Sequence, residues 1–254
     1  MALVAALVLG SPLTGRAAEP PRIKAVRTSA APTIDGALNE AAWRDAAVVR
    51  SFVQRSPREG ADPRQQTELR LLYDDSALYV ALRMRDRSPD RIRRGLGKRD
   101  SPPDSDWVTL FIDPLMTRKR GYYFRVNASG VLADGIVYQE TSADGSWDAV
   151  WSGAAQVDDQ GWSAEMKIPL TSIAFQDQPT QRWGLYVERY LLRHKETSSW
   201  PPMPKSSNTF VSRFGVLEGL QGLKRHAALR LQPYVAGEFL LGRRSDSLRP
   251  DDTF

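Results

Sequence analysis

An arginine and an asparagine stand two residues apart in a strand-like segment, and their side chains are well suited to hold a polar ligand. The segment reads YYFRVN, so Tyr123, Arg125 and Asn127 fall on one face of a pleated strand. A guanidinium, an amide and an aromatic ring together could form a sugar-binding surface. The same residues would also suit a solvated sheet face on which the cation contacts the ring. The pattern leaves both interpretations open.

Arrangements typical of catalysis are scarce in this sequence. His194 and His226 are the only histidines, and neither lies in an HExxH spacing. No glycine-rich phosphate loop and no GxSxG motif is present. Acid pairs such as Asp104 and Asp106 would serve a glycosidase, which needs two carboxylates about 5 to 10 Å apart, but acids this common in loops carry little specificity. We therefore predict no catalytic residue in this chain.

Several aspartates flank the strands near the same segment. Asp86, Asp104, Asp106 and Asp113 offer carboxylate oxygens, which are the ligands that Ca²⁺ prefers. Aspartates in these positions also cap turns, and no EF-hand spacing is present. The sequence therefore leaves both calcium binding and turn capping open as roles for these aspartates.

Composition sets broad limits on the function. The chain has 254 residues, of which 41% are hydrophobic and 26% charged, as expected for one large or two smaller globular domains. The absence of cysteine excludes disulfides, thiolate zinc sites and cysteine nucleophiles. The net charge is +5, but the densest basic cluster, RIRRGLGK at residues 91–98, contains no aromatic residue for base stacking. We expect no nucleic-acid partner, although a basic surface would suit anionic lipid or lipopolysaccharide.

The first 18 residues resemble an export signal. A short apolar run at residues 2–9 precedes a Gly-Arg-Ala-Ala segment, a pattern typical of a signal peptide and its cleavage site. The run is too short to span a bilayer as a helix. We predict cleavage near Ala17 or Ala18 and export of the mature protein. A buried N-terminal helix is the alternative.

Alternating apolar residues predict strands along most of the chain. Residues 106–138 predict a three-stranded meander, and residues 67–73 and 77–84 predict a hairpin that turns at Asp74-Asp75-Ser76. Residues 183–192 are apolar on both faces, which predicts a central strand. Residues 211–217 predict the last strand of the series.

One short helix is predicted at residues 38–46, with Asn39 as its N-cap and Trp43 in the core. About ten short strands with a single helix predict an all-β fold, an antiparallel β-sandwich of the immunoglobulin-like or jelly-roll-like kind.

Residues 228–241 have a different pattern. Their alternation has the length and period of a transmembrane β-strand, which is apolar toward lipid and polar toward a lumen. We predict that residues 224–254 begin an outer-membrane barrel. An ordinary last strand of the sandwich is the alternative.

Five segments in order resemble carbohydrate-binding module family 9. They are TIDGALNEAAW at 33–43, LRLLYDDSALYVALRMRD at 69–86, DWVTLFIDP at 106–114, YFRVN at 123–127 and SRFGVLEGL at 212–220. The segments SWDAVW, SSWPPMP and LQPYVAGEF are similar to bacterial proteins in which such a module precedes an outer-membrane β-barrel.

The resemblance implies non-catalytic binding of sugar chain ends between tryptophans, with polar side chains and calcium nearby. The residues implied as carbohydrate contacts are Arg125, Asn127 and Trp200, helped by Trp107 or Trp151. The acidic positions implied near calcium are Asp86, Asp106 and Asp113. Pro102 and Pro103 stand where the sugar binders carry a second stacking tryptophan.

We therefore expect an exported, non-enzymatic module at residues 19–223 that binds a poly- or oligosaccharide and is attached to an outer-membrane protein. One alternative is a structural, gating or docking domain of the barrel without sugar binding. Another is an accessory domain of a glycoside hydrolase.

Overall fold

Two β-sheets of nine and five strands form the part of the chain that the computed structural model describes, residues 19–101 and 103–224. The predicted signal peptide and the predicted barrel strand at residues 228–241 lie outside this part. The strands are β1 (Arg22–Lys24), β2 (Val26–Arg27), β3 (Val53–Ser56), β4 (Thr67–Tyr73), β5 (Ala77–Arg85), β6 (Trp107–Asp113), β7 (Gly121–Asn127), β8 (Leu132–Tyr138), β9 (Ser142–Asp144), β10 (Ser152–Asp158), β11 (Gly161–Pro169), β12 (Thr180–Leu191), β13 (Glu196–Trp200) and β14 (Gly215–Gln221).

The larger sheet has the order β1-β14-β12-β6-β7-β8-β9, and β13 joins β12 to β3 beside it. The smaller sheet has the order β10-β11-β5-β4-β2. Most pairs are antiparallel, as predicted, but β1 pairs with β14 and β2 pairs with β4 in parallel. The two sheets are therefore mixed, because one extended segment near the start of the described chain adds a short edge strand to each. No helix in the described residues is long and apolar enough to cross a lipid bilayer.

The main sequence predictions for strands are confirmed. The meander is β6-β7-β8, the hairpin is β4-β5, and β12 lies inside the larger sheet between β14 and β6. The last predicted strand is displaced along the chain. Val211–Arg213 form a 3-10 turn, and β14 begins only at Gly215.

The predicted helix is much shorter than its apolar spacing suggests. Helix α1 spans only Ala42–Asp45, and its N-cap is Ala41, which makes no side-chain capping bond, so the predicted cap Asn39 is wrong. The residues before α1 are held as a loop because the buried carboxylate of Glu165 accepts hydrogen bonds from the backbone of Asp35 and Gly36. Trp43 is buried as predicted.

The core lies between the two sheets. Buried side chains from both sheets form its largest cluster, which includes Leu71, Leu110, Trp162, Trp183 and Val187. Each large apolar side chain that is fully buried contributes about 1.5–3 kcal/mol to folding.

A separate aromatic cluster covers part of the opposite, outer face of the larger sheet. Phe111 and Tyr186 pack there against Phe210 and Phe214, with ring centroids 5.0 to 6.2 Å apart. These rings hold the segment at residues 201–214 on the sheet.

Candidate functional site

A cavity of about 310 Å³ lies on the outer face of the larger sheet, beside the aromatic cluster. Residues from β6, β7, β12, β13 and the loop that precedes β6 form its walls. They are Pro103, Asp104, Ser105, Trp107, Thr109, Arg125, Glu188, Tyr190, Leu192 and Thr197. Of the predicted carbohydrate contacts, Arg125 and Trp107 are among them.

The register of the strands explains why these side chains meet. Thr109 on β6 pairs with Arg125 on β7 and with Glu188 on β12. Trp107 pairs with Tyr190 on the same face. Directly paired residues on neighbouring strands project to the same side of a sheet, so three separate segments of the chain build one surface.

Arg125 is held firmly at the base of the cavity. Its Nε donates a hydrogen bond to Thr109 Oγ1 at 2.9 Å. Its guanidinium carbon lies 5.6 Å from the ring centroid of Trp107 and 6.0 Å from that of Tyr123. Its two terminal nitrogens form no hydrogen bond with any residue of the described chain, so they are available to a ligand.

Glu188 brings a carboxyl group to the same cavity. Burial raises the pKa of Glu188, and the positive charges of Arg125 and Arg55 oppose this rise. Tyr186 Oη donates to Glu188 Oε2 at 3.4 Å, and a terminal nitrogen of Arg55 lies 3.9 Å from the same oxygen. A carboxyl group beside a guanidinium can accept and donate hydrogen bonds to vicinal hydroxyls.

Sequence reasoning missed Glu188, Thr109 and Tyr190. The alternation within each strand showed which residues share a face, but the pairing of β12 with β6 joins segments about 80 positions apart. No local signal specifies that pairing.

Asn127 is buried and its side chain binds backbone groups of the protein itself. Its side chain is 0% exposed, and its Nδ2 donates to the carbonyl of Gly95 at 2.6 Å. Its Oδ1 accepts hydrogen bonds from the backbone nitrogens of Ser129 and Val131 at 2.9 and 2.8 Å. Asn127 therefore anchors the loop over the sheet and the turn after β7, and we leave it out of the candidate site.

Two of the three predicted tryptophans do not line the cavity. Trp200 is 3% exposed and belongs to the core between the sheets. Trp151 is also in the core, where it packs edge to face on Phe124 at 5.2 Å and donates through Nε1 to Asp134. Trp107 lines the cavity but is only 7% exposed, so a limited part of its ring is open to a ligand.

The three aspartates predicted near calcium do not converge. Asp106 precedes β6 and Asp113 ends it, so the length of the strand, roughly 20 Å, separates them. Asp113 Oδ2 accepts the backbone N–H of Arg118 at 2.7 Å, which is the turn-capping alternative. Asp113 therefore lies apart from Asp106, and calcium binding at these residues stays a prediction.

Asp86 is neutralised by protein cations. Arg193 donates to both of its carboxylate oxygens, at 2.8 and 2.7 Å, and Arg189 lies 3.9 Å away. Nearby, Asp106 Oδ1 accepts the backbone N–H of Leu192 at 2.9 Å, and burial raises the pKa of Asp106. Guanidinium groups thus occupy the position that a metal ion would need at Asp86, so the surroundings of Asp86 do not fit calcium.

A second acidic cluster was not predicted. Carboxylate oxygens of Asp100, Asp134 and Asp148 lie within 4.8 Å of one another. Arg99 pairs with all three, including a hydrogen bond to Asp134. We assign no metal to this cluster.

The fold is a β-sandwich with a polar cavity on the outer face of its larger sheet. The protein-family model described as "Carbohydrate family 9 binding domain-like" matches residues 34–206. The chain belongs to that family.

Solved structures share this fold. A carbohydrate-binding module of family 9 from Caldicellulosiruptor kristjanssonii, in complex with cellotriose, is 19% identical with a TM-score of 0.55; 84% of this chain and 100% of that chain are covered. A module of the same family and organism in complex with glucose is 18% identical with a TM-score of 0.56, and the match covers 84% of this chain and 100% of that chain. A Bacteroides uniformis protein assigned as carbohydrate-binding is 12% identical with a TM-score of 0.63, and the match covers 79% of this chain and 99% of that chain. A search of curated protein sequences found no match.

Proposed function

We propose that this chain is a non-catalytic module that binds a poly- or oligosaccharide in the cavity between Trp107, Arg125 and Glu188. The observation that carries the proposal is the pair of terminal nitrogens of Arg125, which lie without a protein partner in the described chain beside an aromatic ring and a carboxyl group. Membership of the family and the sugar complexes of similar folds support it.

The chemistry of a sugar fits this arrangement. A pyranose ring has an apolar face that packs on an aromatic ring, and adjacent hydroxyls that pair with planar groups such as guanidinium and carboxyl. A cavity of about 310 Å³ is near the lower limit for a ligand site. It would hold a terminal sugar unit more readily than the middle of a chain.

Isothermal titration of the full chain with cellotriose and glucose tests the proposal, followed by a panel of glycans. Arg125→Ala should abolish the heat of binding, and Arg182→Ala should not, because Arg182 is an exposed cation at the far end of β12. A complete absence of binding across the panel, with and without calcium, would overturn the proposal.

We also propose that the module is exported and attached to an outer-membrane protein. The signal-like pattern of residues 1–18 and the alternating pattern of residues 228–241 support this. Cell fractionation that finds the full-length product in the cytoplasm would contradict it.

A structural or docking role without sugar binding is the second candidate. It is favoured by the burial of Trp200, the stacking tryptophan that the family resemblance implied, and by the prolines at 102 and 103 in place of the second one. An Arg125→Ala variant that disturbs assembly of the parent protein, in a chain that binds no glycan, would support this role.

A further inference from the structure

Exposed cations lie on two segments of the chain that adjoin the sugar cavity. Arg91, Arg93 and Arg94 lie on the loop that leads into β6, and Lys195 lies on the turn between β12 and β13. All four are exposed, and none forms an ion pair with a residue in the described part of the chain. We refer to these four residues as the cationic rim.

The loop that carries the three arginines is fixed beside the cavity. The carbonyl of Arg93 accepts hydrogen bonds from Ser105 Oγ at 2.8 Å and from the backbone nitrogen of Asp106 at 3.0 Å. Ser105 itself lines the cavity. Ile92 is buried in the core and the carbonyl of Gly95 is bound by Asn127, so the backbone that carries Arg93 and Arg94 is fixed beside the cavity wall.

The turn on the other side belongs to the same electrostatic region. Leu192 and Thr197, which line the cavity, flank Lys195. The pKa of His194 is lowered by burial and then by the positive charges of Arg64, Arg193 and Arg91. Glu196 opposes this shift, and the influence of Arg91 shows that Arg91 and the turn at His194 lie close together.

Two acids line the cavity, Glu188 and Asp104, and neither forms an ion pair with a residue of the cationic rim in the described part of the chain. Glu188 faces the positive charges of Arg125 and Arg55, and burial favours its neutral form. Asp104 is the other acid that lines the cavity, and it is exposed at the edge.

We infer that the sugar cavity and the cationic rim together select an acidic saccharide, one that carries carboxylate, sulfate or phosphate groups. The inference rests on the proposed function, since the sugar must enter the cavity for its charged groups to reach the rim. Such a ligand could be a free acidic oligosaccharide or the phosphorylated sugar region of lipopolysaccharide.

Calorimetric titration of the full chain tests the inference with trigalacturonic acid, its fully methyl-esterified form and cellotriose. The ester keeps the sugar backbone and removes the charge. The acid should bind about fivefold or more tightly than the ester, because each exposed ion contact contributes modestly. This preference should shrink as salt is raised and should be lost in an Arg93→Gln/Arg94→Gln variant. An Arg44→Gln/Arg182→Gln variant removes the same charge away from the cavity and should keep the preference.

The outcomes separate the inference from the proposed function. Equal affinity for acid and ester, with cellotriose bound, would overturn the acidic preference and leave sugar binding intact. A preference that survives in the rim variant would also overturn it. No heat with any of the three sugars would overturn the proposed function itself.

A parallel titration with rough lipopolysaccharide distinguishes the two sources. If lipopolysaccharide binds more tightly than trigalacturonic acid, and if this binding is lost in both the rim variant and Arg125→Ala, the ligand is the phosphorylated sugar region of lipopolysaccharide. Lipopolysaccharide binding that persists in Arg125→Ala would contradict a role for the sugar cavity and overturn the inference.

Discussion

The guanidinium carbon of Arg125 lies 5.6 Å from the centre of the Trp107 ring, and Arg125 Nε donates to Thr109 Oγ1 at 2.9 Å. These contacts fix the plane of the guanidinium before any ligand arrives. A planar fork that is already oriented loses less conformational entropy on binding than a mobile side chain. The selectivity of the site should therefore depend on the shape of this group as well as its charge.

An Arg125→Lys variant tests that dependence. Lysine keeps the positive charge but lacks the planar fork and the Nε donor, so we expect saccharide affinity to fall by about tenfold or more, the loss of one charge-assisted hydrogen bond. Titration calorimetry measures the change, with Arg182→Lys as the matched control. Unchanged affinity in Arg125→Lys would show that only charge matters at this position.

Replacement of Trp200 should lower the stability of the fold, whereas replacement of Trp107 should lower saccharide affinity. Trp200 is buried between the sheets, so Trp200→Ala should lower the free energy of unfolding by about 3–5 kcal/mol, measured by urea unfolding. Trp107→Phe should mainly weaken saccharide binding, because its ring lines the cavity. Trp200→Phe leaves a smaller cavity and gives a second measurement if the alanine variant does not fold. A Trp200→Phe protein of full stability that has lost sugar binding would contradict this assignment.

Asp86 should act through arginine and not through calcium. Asp86→Asn removes the charged partner of both Arg193 hydrogen bonds and one of the negative charges near Arg189, and we expect a loss of about 3–5 kcal/mol in stability. Millimolar calcium should leave the thermal midpoint of the natural chain unchanged. Asp159→Asn, at an exposed position, is the control. A calcium-dependent rise in the midpoint that disappears in Asp86→Asn would restore the metal hypothesis at this residue.

Glu165 should make stability fall as the pH rises. It is buried and accepts hydrogen bonds from Asp35, Gly36 and Trp43 Nε1, and burial raises its pKa from the ordinary value of 4.5 to about 7. Since the folded pKa lies above the unfolded value, the contribution of Glu165 is complete below about pH 4.5 and is lost as the pH approaches 7, a change of about 3 kcal/mol. Urea unfolding of the natural chain and of Glu165→Gln across this range measures it. Identical pH profiles for the two proteins would contradict the assignment.

Local sequence patterns could not predict which residues of β7 line the cavity, even though the strand itself was correctly predicted. The alternation in β7 placed Arg125 and Asn127 on one face, and this is correct. The two side chains differ because the loop before β6 covers Asn127, whose amide donates a hydrogen bond to the carbonyl of Gly95. Arg125 is not covered by this loop and lines the cavity. That loop is about 30 residues away in the chain, so periodicity carried no information about it.

The amino-acid sequence by itself determined the all-β class, the meander around β7, the β4-β5 hairpin and the family. Each depends on alternation and turn residues over a few positions, or on segments that match in order. Only the tertiary structure decided that Trp107 lines the cavity while Trp151 and Trp200 are buried, that Glu188 joins Arg125, and that arginines neutralise Asp86. These outcomes depend on strand register and loop packing between distant segments, and register is specified by the whole buried surface of a sheet and not by any one strand.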